Sequence, residues 1–284
     1  VGGAARRLDQ VVMERGWFVS RTQAQDAIRA GRILVAGRPV TAPGRAVPEG
    51  TPVQLTASDP MPASRGAGKL EAALDQWGVS PRGWQVVDVG ASTGGFTEAW
   101  LTRGVAKVFA VDVGVNQLRP WLAADPRVVV VDGVNARRMT ASLLRSRDQS
   151  ADAAEGAMWD GASIDVSFIR LELVLGAVSR LVKPDGLVLA LLKPQFEVGP
   201  KTVGKGGVVR SREAVRAVLE RYWRLVAEWN LHLMDVMACP VLGRGGNREL
   251  WLALTGASSG HGRVSGARLD EVLTQAFGRE DGGS

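Results

Sequence analysis

Cysteine is almost missing from the chain: Cys239 is alone among 284 residues, and histidine is confined to His232 and His261. That scarcity excludes an internal disulfide and leaves no ligand set for a zinc site, so no metal is expected. Long apolar runs are missing too. None approaches the roughly 20 residues that a membrane-spanning helix needs, and the opening VGGAARRLDQ lacks the apolar stretch of a secretory signal. These absences fit a soluble, unexported protein in a reducing cytoplasm, with no membrane partner. Negative charge is in shorter supply than positive: Asp+Glu 29 against Lys+Arg 35 gives a formal charge of +6. A polyanionic partner fits that balance, and so does a basic excess that only serves solubility. With 45% hydrophobic residues, the chain can bury one sizeable core and still leave a small module, so two domains are expected.

The small module is expected over residues 1–58. RRLDQVVMERGWF carries Leu8, Val11 and Val12 at helical spacing, and SRTQAQDAIRAGRI opens with a Ser20/Gln23 capping box and stops at Gly31. RILVAGRPV and TPVQL then read as short strands joined through a turn-rich stretch. Arg6, Arg7, Arg15, Arg21, Arg29 and Arg32 are expected on the helix faces with few acids between them. Arginine in that density suits phosphate and groove contacts in folded RNA, against the alternative of a solvated helix face. The string from Arg7 to Val40 resembles the alpha-L RNA-binding fold shared with small-subunit ribosomal protein S-four, a small α+β domain.

The Pro-, Ser- and Gly-rich stretch around residues 59–65 reads as a linker. From 66 to 256, apolar strand-like runs alternate with amphipathic segments, which predicts an α/β domain. The strands are WQVVDVG, AKVFAVDV, RVVVVDG, GASIDVS, GLVLALLK, LHLMDVMACP and RELWLAL. VLGRGGN, between the last two, is too short for a helical crossover, so the final strand is antiparallel. A seven-stranded, mostly parallel sheet with its last strand reversed resembles the class I, Rossmann-like methyltransferases. Residues 257–284 read as a flexible tether and a possible last helix around ARLDEVLTQAF. The tryptophans at 17, 77, 84, 100 and 223 fall in helix or strand patterns and are expected to pack.

Gly90-Ala91-Ser92-Thr93-Gly94 fits G-x-S-x-G, the turn that presents a hydrolase serine, and equally a glycine-rich cofactor turn. A hydrolase needs a histidine on a loop after the last strands, yet His232 sits in a strand pattern and His261 in the tether. A nucleoside cofactor accounts for more residues. Asp88 precedes the turn, Gly90, Gly94 and Gly95 give backbone clearance, and Asp112, about 20 residues on, is placed for ribose hydroxyls. Ser92, Thr93 and Phe96 complete the loop. Asp132 and Asn135, closing the third strand, are either adenine-edge contacts or turn formers. A second candidate, GPKTVGKG at 199–206, has Gly206 where a phosphate loop needs Ser or Thr, and Pro200 lacks an amide hydrogen. It reads as a mobile active-site loop.

In an open parallel sheet, ligands sit beyond the carboxyl ends of the strands. Asp165 and Lys193 end the fourth and fifth predicted strands, and Glu249 begins the reversed last one. Lys69 begins the helix KLEAALDQW, which leads into the first strand. Two cations and two anions are therefore expected on one rim. DVGASTGGFTE, IDVSFI, LLKPQFEVG, GKGGVVR and GNRELWL closely resemble the TlyA-type proteins, often labelled hemolysin A, through about Leu254. These join an RNA-binding module to an FtsJ-like ribose 2′-O-methyltransferase. The resemblance implies methyl transfer from S-adenosylmethionine to a cytidine 2′-hydroxyl in ribosomal RNA of the small or large subunit. It implies a catalytic tetrad of Lys69, Asp165, Lys193 and Glu249, with Asp165 also close to the cofactor. Lys193 then takes the proton or steers the oxygen's lone pair, with Asp165 orienting it. The partner is rRNA in ribosomal subunits, and a monomer is favoured. The alternatives are a non-catalytic RNA-binding protein and a membrane-active hemolysin, for which no amphipathic or spanning segment is found.

Overall fold

The computed structural model describes residues 5–18, 21–29, 31, 33–55, 65–149, 158–256 and 264–278. The chain divides into two compact units, one of residues 1–63 and 119–125, the other of residues 64–118 and 126–284.

Numbered in chain order, the first unit holds β1 (Arg6–Arg7), α1 (Leu8–Glu14), α2 (Arg21–Arg29), β2 (Ile33–Val35), β3 (Arg38–Val40), β4 (Ala46–Val47) and β5 (Val53–Leu55), with the short helix α5 (Pro120–Ala123). Leu8 and Val12 on α1 and Ala24 and Ile28 on α2 are spaced one helical turn apart and share a core with Ile33, Val35, Val40 and Val53. Ala36 and Gly37 both take positive φ, 50° and 76°, the conformation that a two-residue hairpin between β2 and β3 demands.

The arginines are arranged differently from the sequence expectation. Arg6 and Arg7 lie on β1, paired with Val47 and Ala46, because the chain is extended here before the helix begins. Nor is the segment free of organising acids. Asp9, fully buried, accepts from Arg7 Nε and Nη2 at 3.0 Å, Arg21 Nε at 3.1 Å and Gln25 Nε2 at 2.9 Å. The hydrogen bonds from Arg7 do most to hold its carboxyl well below the usual carboxylate range. Arg7 and Arg21 remain about half exposed, so one buried anion gathers two outward-facing cations. Arg15 closes α1, donating to the Val53 carbonyl at 2.5 Å, and Arg6 pairs with Glu14. Arg29 reaches Gln25 Oε1 at 3.4 Å. Arg32 and Ser20, and the side chain of Gln23, lie outside the described residues.

The second unit holds α3 (Arg65–Gln76), β6 (Gln85–Val89), α4 (Gly95–Thr102), β7 (Lys107–Val111), β8 (Val128–Val131), α6 (Ala141–Arg145), β9 (Trp159–Ile164), α7 (Glu172–Ser179), β10 (Val182–Leu192), α8 (Pro194–Glu197), α9 (Arg212–Leu225), β11 (Leu231–Ala238), β12 (Leu250–Gly256) and α10 (Gly266–Phe277). The seven strands run in the order β11-β12-β10-β9-β6-β7-β8, and β12 is antiparallel to both of its neighbours. The other strands run one way because long crossovers connect them, as the alternation of patterns predicts. β6 has β7 on one side and β9 on the other, so chain connections diverge between β6 and β9 and open a crevice at their carboxyl ends.

α3 starts at Arg65, so Lys69 sits in its second turn and not at its start. The glycines at 66 and 68 disguised that turn as linker, but Ala67 and Leu70 are fully buried and fix it. Trp100 is buried as expected, whereas Trp223 on α9 is 36% exposed. Among the described residues, no helix is long and apolar enough to cross a membrane, and no His, Cys, Asp or Glu cluster can hold a metal ion.

Candidate active site

The turn after β6 is fixed by backbone before any side chain acts. Gly90 and Ala91 donate to the Val111 carbonyl at 2.8 and 3.1 Å, and Gly94 to Ala91 at 2.7 Å. Gly90 has φ +84°, and a β-carbon there would lie 2.5 Å from the Asp165 carbonyl oxygen. Its bareness therefore serves the close passage of the β9 end, an internal need that the cofactor reading did not foresee. Ser92 adopts a left-handed conformation, φ 48°, and its amide donates to Asp112 Oδ2 at 2.8 Å. Asp112 Oδ1 accepts from Gly114 at 2.7 Å, so one carboxylate ties two loops and each oxygen keeps a second lone pair.

These loops wall a cavity of about 550 Å³, lined by Gly90 and Ser92 after β6, Asp112 and Gln117 after β7, Asn135 and Arg137 after β8, and Asp165 to Ile169 after β9. Its size suits a small-molecule or nucleoside ligand. Several expected cofactor residues lie elsewhere. Asp88 is fully buried beneath the turn, accepting from Thr97 Oγ1 at 2.7 Å and Ser163 Oγ at 2.9 Å. Burial pushes its carboxyl up to about 7, against those hydrogen bonds. Phe96 is buried against Trp251, ring centroids 5.3 Å apart. Asp132 accepts from the Asn116 amide at 2.7 Å and caps that turn. Asp132, Thr93, Gly94 and Gly95 do not line the cavity. Gly94 instead starts α4 at φ 92°. Asn135 does line it while capping the following turn, its Oδ1 3.0 Å from the Arg137 amide.

The four expected rim residues form two ion pairs, with Asp165, Lys193 and Glu249 at neighbouring strand ends and Lys69 reaching in from α3. Lys193 Nζ lies 2.5 Å from Asp165 Oδ1, off hydrogen-bond alignment, and donates to Ser167 Oγ at 2.8 Å. Lys69 Nζ donates to Glu249 Oε2 at 2.5 Å. Leu192 on β10 is paired with Leu250 on β12, which sets Lys193 and Glu249 opposite each other one step beyond the ladder. Asp165, one residue past β9, completes the row, and it also lines the cavity. Nucleoside-sized space and the ammonium of Lys193 thus share one carboxylate.

Two neighbours were not foreseen. Phe168 is 84% exposed, takes φ +65° and stands over the cavity mouth, touching Phe196 at 5.1 Å between ring centroids. A large aromatic held out in water by a strained backbone signals a ligand contact. Glu197, buried at 3% exposure, accepts from the Leu171 amide at 2.8 Å and from Tyr222 Oη at 3.0 Å. It latches the Lys193 segment to the Asp165 loop, and burial raises its carboxyl. Acidity within an otherwise plain QFE string gave no local signal for that contact.

Among the described residues, the hydrolase reading finds no histidine beside Ser92. His232, on β11 and paired with Thr255 of β12, lies four strands from β6, about 20 Å at ~4.8 Å per strand and toward the opposite sheet edge. His261 lies outside the described residues. A second cavity of about 580 Å³ between α9, β11 and α10 carries none of the paired rim residues.

Comparison with known proteins resolves the family. The family model described as FtsJ-like methyltransferase matches residues 62–255, and the S4 domain model matches residues 6–53. The chain belongs to the FtsJ-like methyltransferase family. This FtsJ-like chain is similar to the Mycobacterium tuberculosis protein named 16S/23S rRNA (cytidine-2′-O)-methyltransferase TlyA, 39% identical over 249 residues, 87% of this chain and 89% of that relative. It is 31% identical over 243 residues to Hemolysin A of Brachyspira hyodysenteriae, covering 86% and 97%. A solved Streptococcus thermophilus structure, provisionally labelled a hemolysin, matches with a TM-score of 0.68 and 33% identity over 96% of each chain. The S. thermophilus match, the family model and the strand order together make the fold of the second unit that of a methyltransferase, with an S4 domain before it.

Proposed function

We propose that this methyltransferase moves a methyl group from S-adenosylmethionine to a cytidine ribose 2′-hydroxyl in ribosomal RNA. The observation that carries the reading is Asp165, which lines the nucleoside-sized cavity and sits 2.5 Å from Lys193 Nζ. S-adenosylmethionine supplies a sulfonium-activated methyl group. The cavity fits it: Asp112 offers free lone pairs to ribose hydroxyls, and the Gly90–Ser92 backbone leaves the floor bare.

The remaining work is alignment and proton handling. Lys193, held between Asp165 and Ser167, points its amino group at a fixed spot beside the cavity; as the neutral amine, having first given up a proton, it takes the hydroxyl proton, or as the ammonium it steers the oxygen's lone pair. Lys69 and Glu249 hold the β12 side of that spot. Residues 66–256 form the catalytic domain, whose first helix begins at Arg65 and whose core also takes in α10 through Leu269, Val272 and Leu273; residues 1–58 form the RNA-binding domain with Arg7 and Arg21 presented by Asp9, and 59–64 the linker. Such an enzyme works as a monomer in the cytoplasm, on ribosomal subunits.

The test supplies labelled cofactor and separated ribosomal subunits, then maps any modified ribose. Transfer to one cytidine 2′-oxygen is expected, abolished in Lys193→Ala while cofactor binding persists. Substantial transfer by that variant, or none to either subunit by the natural protein, overturns the reading.

A further inference from the structure

Two short loops in the methyltransferase unit are near copies of one another. Gly204-Lys205-Gly206-Gly207-Val208 follows β10, and Gly243-Arg244-Gly245-Gly246-Asn247 precedes β12. Each starts with an extended glycine, φ −74° and ψ −179° in the first and φ −71° and ψ −179° in the second. Each then has a left-handed glycine third, φ 79° at Gly206 and 73° at Gly245, and another fourth, φ 78° and 89°. The internal hydrogen bonds repeat as well. Gly204 donates to Val208 at 3.0 Å and Gly243 to Asn247 at 2.8 Å, while Gly207 donates to Gly204 at 3.0 Å and Gly246 to Gly243 at 3.1 Å.

The copies are also bolted together. Asn247, buried at 3% exposure, accepts from the Val209 amide at 3.0 Å and donates to the Gly207 carbonyl at 2.8 Å. Gly207 and Val209, just past the 199–206 loop, are thereby tied to the loop before β12. The pair stands beside the proposed reaction centre, because Gly243 backs directly onto the Glu249 carboxylate and both loops spring from the adjoining strands β10 and β12.

Charge around them is one-sided. Lys201, Lys205, Arg210 and Arg248 are all exposed, and none forms an ion pair among the described residues. The two acids on these segments are already engaged, Glu197 with Arg221 and Glu249 with Lys69. Lys205 and the left-handed Gly206 present two successive amides with no acceptor among the described residues, next to the Gly207 amide already bonded to Gly204, a concavity suited to an anion. Gly245 repeats that turn.

We infer that the twin loops form a cradle for the phosphodiester backbone of an RNA strand beside the target ribose. This rests on the ribose-methylation reading, since each ribose in a strand lies between two phosphates and a centre acting on its 2′-oxygen must accommodate both. Phosphate contacts of this kind set register and carry no base information. The cradle places the strand, and other residues choose the nucleotide.

The experiment measures binding of the full chain to protein-free ribosomal RNA across a salt series, with methyl transfer to ribosomal subunits scored separately. In Lys205→Ala/Arg248→Ala, the slope of log affinity against log salt should fall by about two, one for each phosphate that is no longer neutralised. KM for subunits should rise roughly tenfold or more, with cofactor affinity unchanged. Arg180→Ala/Lys183→Ala, at the opposite end of β10, is the charge-matched control and should leave the slope unchanged. An unchanged slope in the loop variant overturns the cradle. So does an equal change in the control, which reduces the effect to net charge, or a change seen with subunits but not with bare RNA, which assigns the loops to a protein surface. Normal slope changes with no methyl transfer by the natural protein keep the cradle as an RNA-backbone site and remove the methylation reading alone.

Discussion

Lys69 Nζ donates to Glu249 Oε2 at 2.5 Å, joining positions 180 residues apart with both side chains almost out of water, 11% and 3% exposed. Deleting one partner leaves the other charge buried and uncompensated, a cost of about 3–5 kcal/mol. Lys69→Ala and Glu249→Ala should each unfold at markedly lower temperature. The double variant Lys69→Met/Glu249→Leu, which removes both charges, should regain most of that stability and none of the methyl transfer. Thermal denaturation and a labelled-methyl assay separate the two, and an active double variant contradicts a chemical role for the pair.

Gly243 tests the same carboxylate from behind. A β-carbon there would lie 2.2 Å from Glu249 Oε1 and 2.6 Å from its Cδ, and Lys69 keeps that side chain from swinging aside. Gly243 has φ −71°, so alanine brings no backbone strain of its own. Gly243→Ala should therefore cut kcat at least tenfold, about 1.4 kcal/mol of transition-state stabilisation, with cofactor affinity close to natural. Equal kcat in the two proteins removes Glu249 from the chemistry.

Phe168 opposes stability to function. Its φ of +65° costs a non-glycine residue about 1 kcal/mol or more, and 84% of the side chain faces water. Phe168→Gly should unfold at a temperature no lower than the natural protein while losing at least tenfold in kcat/KM for ribosomal subunits. Unchanged kcat/KM means that the exposed ring is no substrate contact.

The strands were legible because valine-rich runs closed by Asp or Gly repeat with helical patterns between them, and burial on both faces of a parallel sheet demands such runs. The rim was legible for a related reason: topology alone sends the ends of β9 and β10 and the start of β12 to one edge, so Asp165, Lys193 and Glu249 followed from strand order. What stayed hidden depends on contacts distant in sequence. Asp88 looks like a ligand residue until Thr97 and Ser163 close over it, Arg6 and Arg7 look helical until β4 pairs with them, and Glu197 looks idle until Leu171 and Tyr222 arrive.

Asp88 carries a pH signature. Burial lifts its carboxyl from 3.8 to about 7, so folding takes up a proton. The stability this confers is full below about pH 4 and is lost as pH rises through 7, on the order of 4 kcal/mol in all. Asp88→Asn keeps partners for both hydroxyls and never ionises. Its chemical-denaturation stability should stay flat from pH 4 to 8 relative to the natural protein and exceed it above pH 7. Parallel pH profiles for the two proteins rule out a buried, protonated Asp88.

Glu197 separates positioning from chemistry. It touches neither the cavity nor the paired rim residues, yet from α8, just past Lys193, it holds the Leu171 amide at the end of the loop that begins with Asp165. Losing that acceptor frees one segment from the other, and the Lys193 to Asp165 contact then varies with loop motion. Glu197→Ala should lower kcat by about tenfold to a hundredfold, since misplacement by about 1 Å costs on the order of 10², while KM for the cofactor changes little. Glu197→Gln keeps an oxygen for Leu171 and should recover most of kcat although its bond to Arg221 is weakened. Tyr222→Phe leaves Glu197 one donor poorer and should fall between them. If Glu197→Gln is as slow as Glu197→Ala, the charge matters more than the latch, and Glu197 acts on the site through its field and not through Leu171.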